Sequence, residues 1–209
     1  MTQLPPGFTG LTLFTQDGER KYLSQTERQR FHEALSIIED LRDRSFCEMI
    51  YWTGCRPSEA LALTALNIDV EEQLVVIRSL KKRGKWKNRH FRPVPVPQGF
   101  IERMEETHTL RLQQASCEGK NAPLLWRFGR TKGWRLIRTV MRKAGITGAK
   151  GCGRGLRHAY GVHAAINAVP ESRIKKWLGH ESLATTEIYL DVAGPEDRLI
   201  ASRMWAEDT

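Results

Sequence analysis

Residues 53–63 read TGCRPSEALAL, and this stretch predicts two helices that meet at a sharp break. Gly54 tolerates the left-handed conformation in which many helices end, so we expect the preceding helix, at about 46–52, to stop before it. Pro57 suits the first turn of a helix, and we expect the next helix to start there. Arg56 is thereby left at the junction of the two helices.

The residues before these two helices predict an arm and a further long helix. Ser24 and Glu27 have the pattern of a capping box, in which each side chain satisfies a free backbone N–H at the start of a helix. Apolar residues recur at helical spacing after them, so we expect a helix that runs to about Arg44. Residues 1–23 contain several turn formers and are expected to be a loosely attached N-terminal arm with a short hairpin.

Downstream of the junction, the pattern predicts a small antiparallel sheet and then a series of helices. Residues 74–80 and 91–96 are expected to be strands, and the prolines in and after the second one favour a position at the sheet edge. Helices are expected at 99–114, 131–143, 155–168, 171–178 and 183–192, followed by an amphipathic tail over 196–204. The predicted fold class is therefore mainly α with a small antiparallel β-sheet (α+β).

The composition fits one compact globular domain. The chain has 209 residues, of which 40% are hydrophobic and 27% are charged, which is enough apolar material for one core but not for two large domains. No apolar run approaches the roughly 18 residues of a membrane-spanning helix, and the N-terminus lacks a signal-peptide pattern. We therefore expect a cytoplasmic protein without a membrane partner. Four irregularly spaced cysteines argue against a disulfide framework and a CxxC metal site.

The net charge of +9 is concentrated in one short segment. Residues 78–92 contain eight of the 33 basic residues and no acidic one, so the other 25 basic residues nearly balance the 24 acidic ones. Trp86, His90 and Phe91 are interleaved with these cations. Cations beside aromatic rings predict a polyanionic partner, and the lack of an accompanying amphipathic basic helix favours nucleic acid over a membrane surface. The candidate DNA-binding residues are Lys82, Arg83, Lys85, Lys87, Arg89 and Arg92.

Five motifs along the chain together resemble the tyrosine recombinase (phage integrase) family. They are TGCRPSEALAL, a basic hairpin that returns through VPVP, GLRHAYG, WLGH and a tyrosine nine residues after the histidine of WLGH. The resemblance spans about 24–205 and implies that residues 24–209 form the catalytic domain of that family. Only 55 residues precede Arg56, and we expect the separate N-terminal core-binding domain of the family to be absent.

The resemblance implies a site-specific DNA recombinase or integrase. Such an enzyme cleaves and rejoins DNA strands through a 3′-phosphotyrosyl intermediate and needs neither a metal nor ATP. By the same resemblance, Tyr189 is the nucleophile, and Arg56 and Arg157 hold the phosphate oxygens. A guanidinium suits that role because it offers paired donors and keeps its charge as negative charge accumulates in the transition state. His180 matches a position that hydrogen-bonds the phosphate and helps to manage the tyrosine proton, and Glu59 matches an acidic position that supports the site.

The lysine that protonates the leaving 5′-oxygen in this family has two candidates in this chain. Lys81 and Lys82 both follow the first predicted strand. Because side chains of a strand alternate between its faces, at most one of the two can point at the phosphate. Lys81 is favoured, since it directly follows the apolar strand.

The motif around Arg157 departs from the family pattern HxLRH. Arg154 stands where the family has the first histidine. A guanidinium can bind phosphate but cannot act as a base near neutral pH. Arg154 is therefore expected to keep the electrostatic part of that role and to lose any proton transfer. His158 matches the second histidine of the motif and is expected to be structural.

The resemblance also implies partners. Double-stranded DNA is the expected substrate, bound by a homotetramer on two paired recombination sites, with a monomer in solution before DNA is met. Accessory proteins that bend DNA or set direction are further candidates. Residues 195–205 are expected either to pass to a neighbouring protomer or to pack within their own chain. Two alternative functions stay open, a type IB topoisomerase-like enzyme and a DNA-binding regulator that keeps the fold without catalysis.

Overall fold

The computed structural model describes residues 13–80, 90–117, 122–180, 182–189 and 195–202. This part of the chain is mainly helical with one small antiparallel sheet, which confirms the predicted fold class. The helices are α1 (Gln25–Glu33), α2 (Leu41–Thr53), α3 (Pro57–Ala60), α4 (Gln98–His108), α5 (Leu110–Ser116), α6 (Arg130–Lys143), α7 (Gly153–Ile166), α8 (Glu171–Leu178), α9 (Ala184–Glu187) and α10 (Pro195–Ala201). The strands are β1 (Ile68–Asp69), β2 (Leu74–Arg78) and β3 (Phe91–Pro95).

The break between α2 and α3 forms at the residues that predict it. Gly54 lies in the left-handed region, with φ of 61°, and donates its N–H to the carbonyl of Ile50 over 2.9 Å, which ends α2. A Cβ atom at this position would lie 2.7 Å from the ring of Tyr160. Glycine is therefore required both for the backbone conformation and for the close packing of α7. Pro57 opens α3 as predicted, although α3 is only a single short turn.

The segment before α2 differs from its prediction. Ser24 and Glu27 form the predicted capping box, but α1 ends at Glu33 and gives way to a 3-10 turn. Asp40 then caps α2, because its carboxylate accepts the N–H of Asp43 over 2.9 Å. The prediction of one continuous helix is therefore wrong, since a second N-cap within the apolar pattern starts a new helix.

The sheet has the order β1-β2-β3 and is antiparallel throughout. β2 and β3 pair in the register that places Val75 opposite Val94, and both of these side chains are buried. β3 carries the prolines and is an edge strand, as predicted. The sequence does not reveal β1, because two residues are too few to show an alternating pattern.

Two further segments differ from the sequence predictions. The helix expected over 99–114 is divided into α4 and α5, because Thr109 adopts a left-handed conformation with φ of 49°. The described part of the N-terminal arm forms the expected short hairpin, but it is not loosely attached. Leu13, Tyr22 and Leu23 are all buried, so this part of the arm contributes to the core.

The centre of the fold is formed by α2 and α7, which pack against each other and carry many of the buried side chains. α10 packs against α7 of the same chain. Across the described ranges, no helix has the length and apolar character needed to cross a membrane. The same ranges contain no group of three or more histidine, cysteine, aspartate or glutamate side chains arranged to bind a metal ion.

Candidate active site

Glu59 is the centre of a buried ion-pair network at the start of α3, where it is 1% exposed. Its carboxylate accepts the backbone N–H and the Nη1 donor of Arg56 over 2.9 Å each, and the Nη2 donor of Arg92 over 2.7 Å. Burial acts to raise the pKa of Glu59, but the hydrogen bonds and charges of Arg92 and Arg56 outweigh it and hold the pKa below its usual value. Glu59 is therefore an ionised carboxylate that fixes both the backbone and the guanidinium of Arg56.

Arg92 lies inside this network rather than among exposed cations. Its guanidinium also donates to the carbonyl of Trp177 over 2.8 Å and to the hydroxyl of Ser79 over 3.1 Å. Because the residue is buried and its donors are used within the protein, we correct its predicted role in DNA binding. Arg92 instead ties β3 to α3 and α8.

Arg157 is oriented in α7 by two backbone carbonyls. Its Nη1 donates to the carbonyl of Gly54 over 2.9 Å, and its Nη2 donates to the carbonyl of Leu178 over 2.6 Å. These carbonyls belong to the C-terminal ends of α2 and α8, where helices leave acceptors without intrahelical partners. Burial, and after it the charge of Arg56, lowers the pKa of Arg157 to about 10. The side chain is therefore still a cation at neutral pH.

Tyr189 follows α9, and its side chain packs against α7. It is 1% exposed. Its ring fits there because Gly161 has no side chain, since a Cβ atom on Gly161 would lie 2.6 Å from the ring. Burial raises the pKa of Tyr189 to about 12, although the charges of Arg157 and Arg56 act to lower it. The phenol is therefore protonated at neutral pH and lies within the electrostatic field of both arginines.

Two histidines flank the ring of Tyr189. His158 places Nδ1 at 3.3 Å from the Tyr189 hydroxyl oxygen. His180 stacks on the ring, with centroids 5.9 Å apart and planes at 21°, while its Nδ1 lies 3.0 Å from the hydroxyl oxygen of Thr186. Burial, and after it the charge of Arg157, lowers the pKa to about 4 for His158 and to about 3 for His180. Both imidazoles are therefore neutral at pH 7.

Apart from Arg92, the predicted site residues thus fall into three groups. The structure brings together Arg56, Glu59, Arg157, His158, His180 and Tyr189. Arg154 is exposed in the first turn of α7, and its charge is near enough to contribute to the lowered pKa of His158. The remaining predicted cations lie outside the described residues, and these are Lys81, Lys82, Arg83, Lys85, Lys87 and Arg89.

The arginines of α6 are not among the residues predicted from the sequence. This helix has six basic residues and no acidic one, namely Arg130, Lys132, Arg135, Arg138, Arg142 and Lys143. Trp134 is 57% exposed and lines an open groove of about 630 Å³ together with Ser58, Arg130 and Gly153. The groove borders the start of α3, directly after Arg56. Six cations within fourteen residues are visible in the sequence, but the denser cluster at 78–92 hides this signal.

Comparison with known proteins finds sequence relatives for most of the chain. Residues 21–195 match the sequence model of the Phage integrase family. Tyrosine recombinase XerC of Mycobacterium leprae is 34% identical over 163 residues, which covers 77% of this chain and 53% of that protein. The chain spans about half the length of the curated relatives it matches.

Solved structures share the fold described above. The crystal structure of XerA recombinase matches with a TM-score of 0.68 and 26% sequence identity, covering 90% of this chain and 64% of that one. The XerH site-specific recombinase bound to its difH substrate, in a pre-cleavage complex, matches with a TM-score of 0.69 and 21% identity, covering 92% of this chain and 59% of that one. At that lower identity, the likeness to XerH is one of fold.

Proposed function

Because the chain belongs to the Phage integrase family, we propose that it is a site-specific DNA recombinase that cleaves and rejoins DNA strands through Tyr189. Residues 24–209 are taken as its catalytic domain and double-stranded DNA as its substrate. The observation that supports this most is the convergence of a tyrosine, two histidines and two arginines from separate parts of the chain. These side chains are the ones needed to bind a phosphodiester and to attack it.

Arg56 and Arg157 hold the phosphate under attack. Each guanidinium has five N–H donors. Within the described contacts, Arg157 uses two of its nitrogens on carbonyls and Arg56 uses one on Glu59, so both keep donors for phosphate oxygens. Because the protein orients both guanidinium groups before DNA arrives, stabilising the charge of the transition state needs little rearrangement.

Tyr189 attacks the phosphorus atom and forms a 3′-phosphotyrosyl bond as the 5′-oxygen leaves. Lys81, or Lys82 in its place, protonates that oxygen. His180 is neutral and stacked beside the phenol, so it acts as a hydrogen-bond donor to the phosphate. The bond energy is kept in the phosphotyrosine, and rejoining is the reverse of cleavage.

Because Tyr189 is buried, the short stretch of chain that carries it after α9 must shift when DNA binds. A phosphate cannot reach a hydroxyl on a side chain that is 1% exposed. Tyr189 follows α9, which has only four residues and therefore few helical hydrogen bonds to resist a shift. DNA binding and exposure of the nucleophile are thus coupled events.

The proposed assembly follows from the same chemistry. Exchange of strands between two duplexes requires four cleavages, and a homotetramer formed from monomers on two paired sites supplies four Tyr189 side chains. Accessory proteins that bend DNA or set direction complete the set of proposed partners. Cytoplasmic location is part of this proposal.

A plasmid assay tests this function. Purified protein is mixed with supercoiled plasmid that carries two copies of the DNA flanking its own gene, beside the Tyr189→Phe variant. Recombinant joints with the wild type only are the expected result. Relaxed circles without joints indicate a topoisomerase instead, and binding without either product indicates a regulator, so both outcomes contradict the proposal.

A further inference from the structure

The Tyr189 hydroxyl has one ring nitrogen within hydrogen-bonding distance among the described residues. This atom is Nδ1 of His158, at 3.3 Å. Both side chains are buried, so bulk water does not compete for the contact. A nitrogen placed this close to the attacking oxygen is in position to take its proton.

The buried phenol needs such a proton acceptor. With a pKa raised to about 12, Tyr189 carries its proton at neutral pH, and the phenol is a much weaker nucleophile than the phenolate. Arg154, which also lies in α7, cannot supply a base because a guanidinium stays protonated. The acceptor must therefore be another group near the hydroxyl.

The other candidate acceptors in the site are less well placed. Nδ1 of His180 lies 3.0 Å from the hydroxyl oxygen of Thr186, and the described contacts include no hydrogen bond between the His180 ring and the Tyr189 hydroxyl. The carboxylate of Glu59 accepts from two arginines, which lowers its capacity to accept a proton. Among the described residues, His158 is the acceptor that remains.

We propose that His158 is the general base that activates Tyr189 and that it stays within reach of the hydroxyl when the segment after α9 shifts to admit the phosphate, an inference that rests on the proposed function. As the Oη–P bond forms and the P–O5′ bond breaks, the phenolic proton passes to Nδ1 of His158, and the 5′-oxygen takes a proton from the hairpin lysine. In rejoining, the 5′-hydroxyl attacks the phosphorus and returns its proton to the lysine, while Nδ1 returns its proton to Tyr189. The proton count of the protein is the same before and after the cycle.

The surroundings of His158 favour the neutral imidazole, which acts as the base in the tautomer whose Nδ1 carries no proton. The charged and titratable groups that face it are Arg154 and Arg157 on its own helix, Lys21 from the N-terminal arm, and Tyr189 and His180 from the C-terminal side. Burial and the three cations lower the pKa of His158 to about 4, so the imidazole is neutral at rest. A bound phosphate adds negative charge nearby, which favours the imidazolium and makes His158 a stronger base during attack.

The test measures formation of the covalent adduct on a nicked duplex with either oxygen or sulfur at the 5′ leaving position. A thiolate leaves without a proton, so sulfur removes the need for the lysine but not for the base. His158→Asn is expected to slow adduct formation about 100- to 1,000-fold on both duplexes, with DNA affinity within about twofold of the wild type. His163→Asn, a matched change on α7 at a residue outside the site, is expected to keep the wild-type rate.

Substitution of Tyr189 with ring-fluorinated tyrosine distinguishes a base from a structural histidine. Fluorine lowers the pKa of the phenol, so it reduces the need for a base. Fluorotyrosine is expected to restore the rate of the His158→Asn variant by about tenfold or more. A His158→Asn variant that reacts at the wild-type rate, or one that fluorotyrosine does not restore, overturns the base role and leaves the recombinase intact. A wild-type protein that forms no adduct overturns the proposed function, and the base role with it.

Discussion

Arg92 and Glu59 are 33 residues apart in the chain, yet Nη2 of the arginine donates to the glutamate carboxylate over 2.7 Å in the protein interior. The same guanidinium reaches the carbonyl of Trp177, three residues before His180. A single buried side chain thus connects the edge strand of the sheet to α3 and to the end of α8. These elements carry Arg56 and His180, so Arg92 sets the relative placement of two groups of the site.

Replacing Arg92 with Met is expected to destabilise the protein by about 3–5 kcal/mol, because Glu59 is left buried with a single arginine partner. Urea denaturation measures this change. The matched control is Arg111→Met, which removes an exposed ion pair with Glu71 and is expected to leave the midpoint unchanged. Equal midpoints for the two variants contradict the structural role of Arg92.

Replacing Gly161 with Ala is expected to reduce the free energy of unfolding by about 1–2 kcal/mol, although Ala is the better helix former. The added Cβ atom overlaps the ring of Tyr189 at 2.6 Å. Thermal denaturation measures the loss. Gly99→Ala in α4, where the nearest atom is 3.7 Å away, serves as the control and is expected to keep or raise stability. A Gly161→Ala variant as stable as this control shows that the ring is not packed against α7.

His108 is expected to make the protein sensitive to acid. Its Nε2 lies 2.8 Å from the Ser45 hydroxyl oxygen, and Nδ1 is buried without a partner among the described residues. Burial, and after it the charge of Arg42, lowers its pKa from 6.5 to about 4. A lowered pKa in the folded state means that its stabilising contribution is complete above about pH 6.5 and is lost as the pH falls towards 4.

His108→Gln keeps a donor for Ser45 but cannot titrate. Between pH 7 and 4, the unfolding free energy of the wild type is therefore expected to fall by about 3 kcal/mol more than that of the variant. Urea titrations at a series of pH values give both curves. Parallel curves for the two proteins exclude His108 as the acid-sensitive group.

DNA affinity is expected to depend steeply on salt, because each phosphate contact releases counterions. Arg130 borders the groove beside α3, so Arg130→Gln is expected to reduce the slope of log K against log salt by about one. Fluorescence anisotropy at several salt concentrations measures this slope. Arg111→Gln, at an arginine paired with Glu71 in a groove lined by glutamates, is expected to keep the wild-type slope. An unchanged slope for Arg130→Gln removes α6 from the DNA interface.

The structural features that the sequence predicts correctly are those set by the local chemistry of single residues. Gly54 and Pro57 determine backbone conformation on their own, so the break that places Arg56 can be predicted without knowledge of the fold. The prolines of β3 likewise predict an edge strand, because they lack donors for a neighbouring strand. Candidate site residues at such positions are therefore easy to identify from sequence.

Features that depend on contacts distant in sequence are not predictable in this way. Arg92 looks like any other cation of a basic run until the fold places Glu59 beside it. The arm containing Leu13 and Tyr22 has the composition of a surface segment, and only tertiary packing buries it. Thr109 adopts a left-handed conformation that glycine usually occupies, so its sequence gives no sign of the break between α4 and α5. The contact of His158 with Tyr189 joins residues 31 positions apart and is visible only in the structure.

The most direct test of the central claim is to identify the atom that becomes bonded to DNA. Protein trapped on a nicked duplex is digested with protease and nuclease, and the modified peptide is sequenced by mass spectrometry. The expected result is a nucleotide joined through its 3′-phosphate to Tyr189, with no such peptide from the Tyr189→Phe variant. An adduct on any other residue, or an adduct of equal yield in Tyr189→Phe, contradicts the assignment of Tyr189 as the nucleophile.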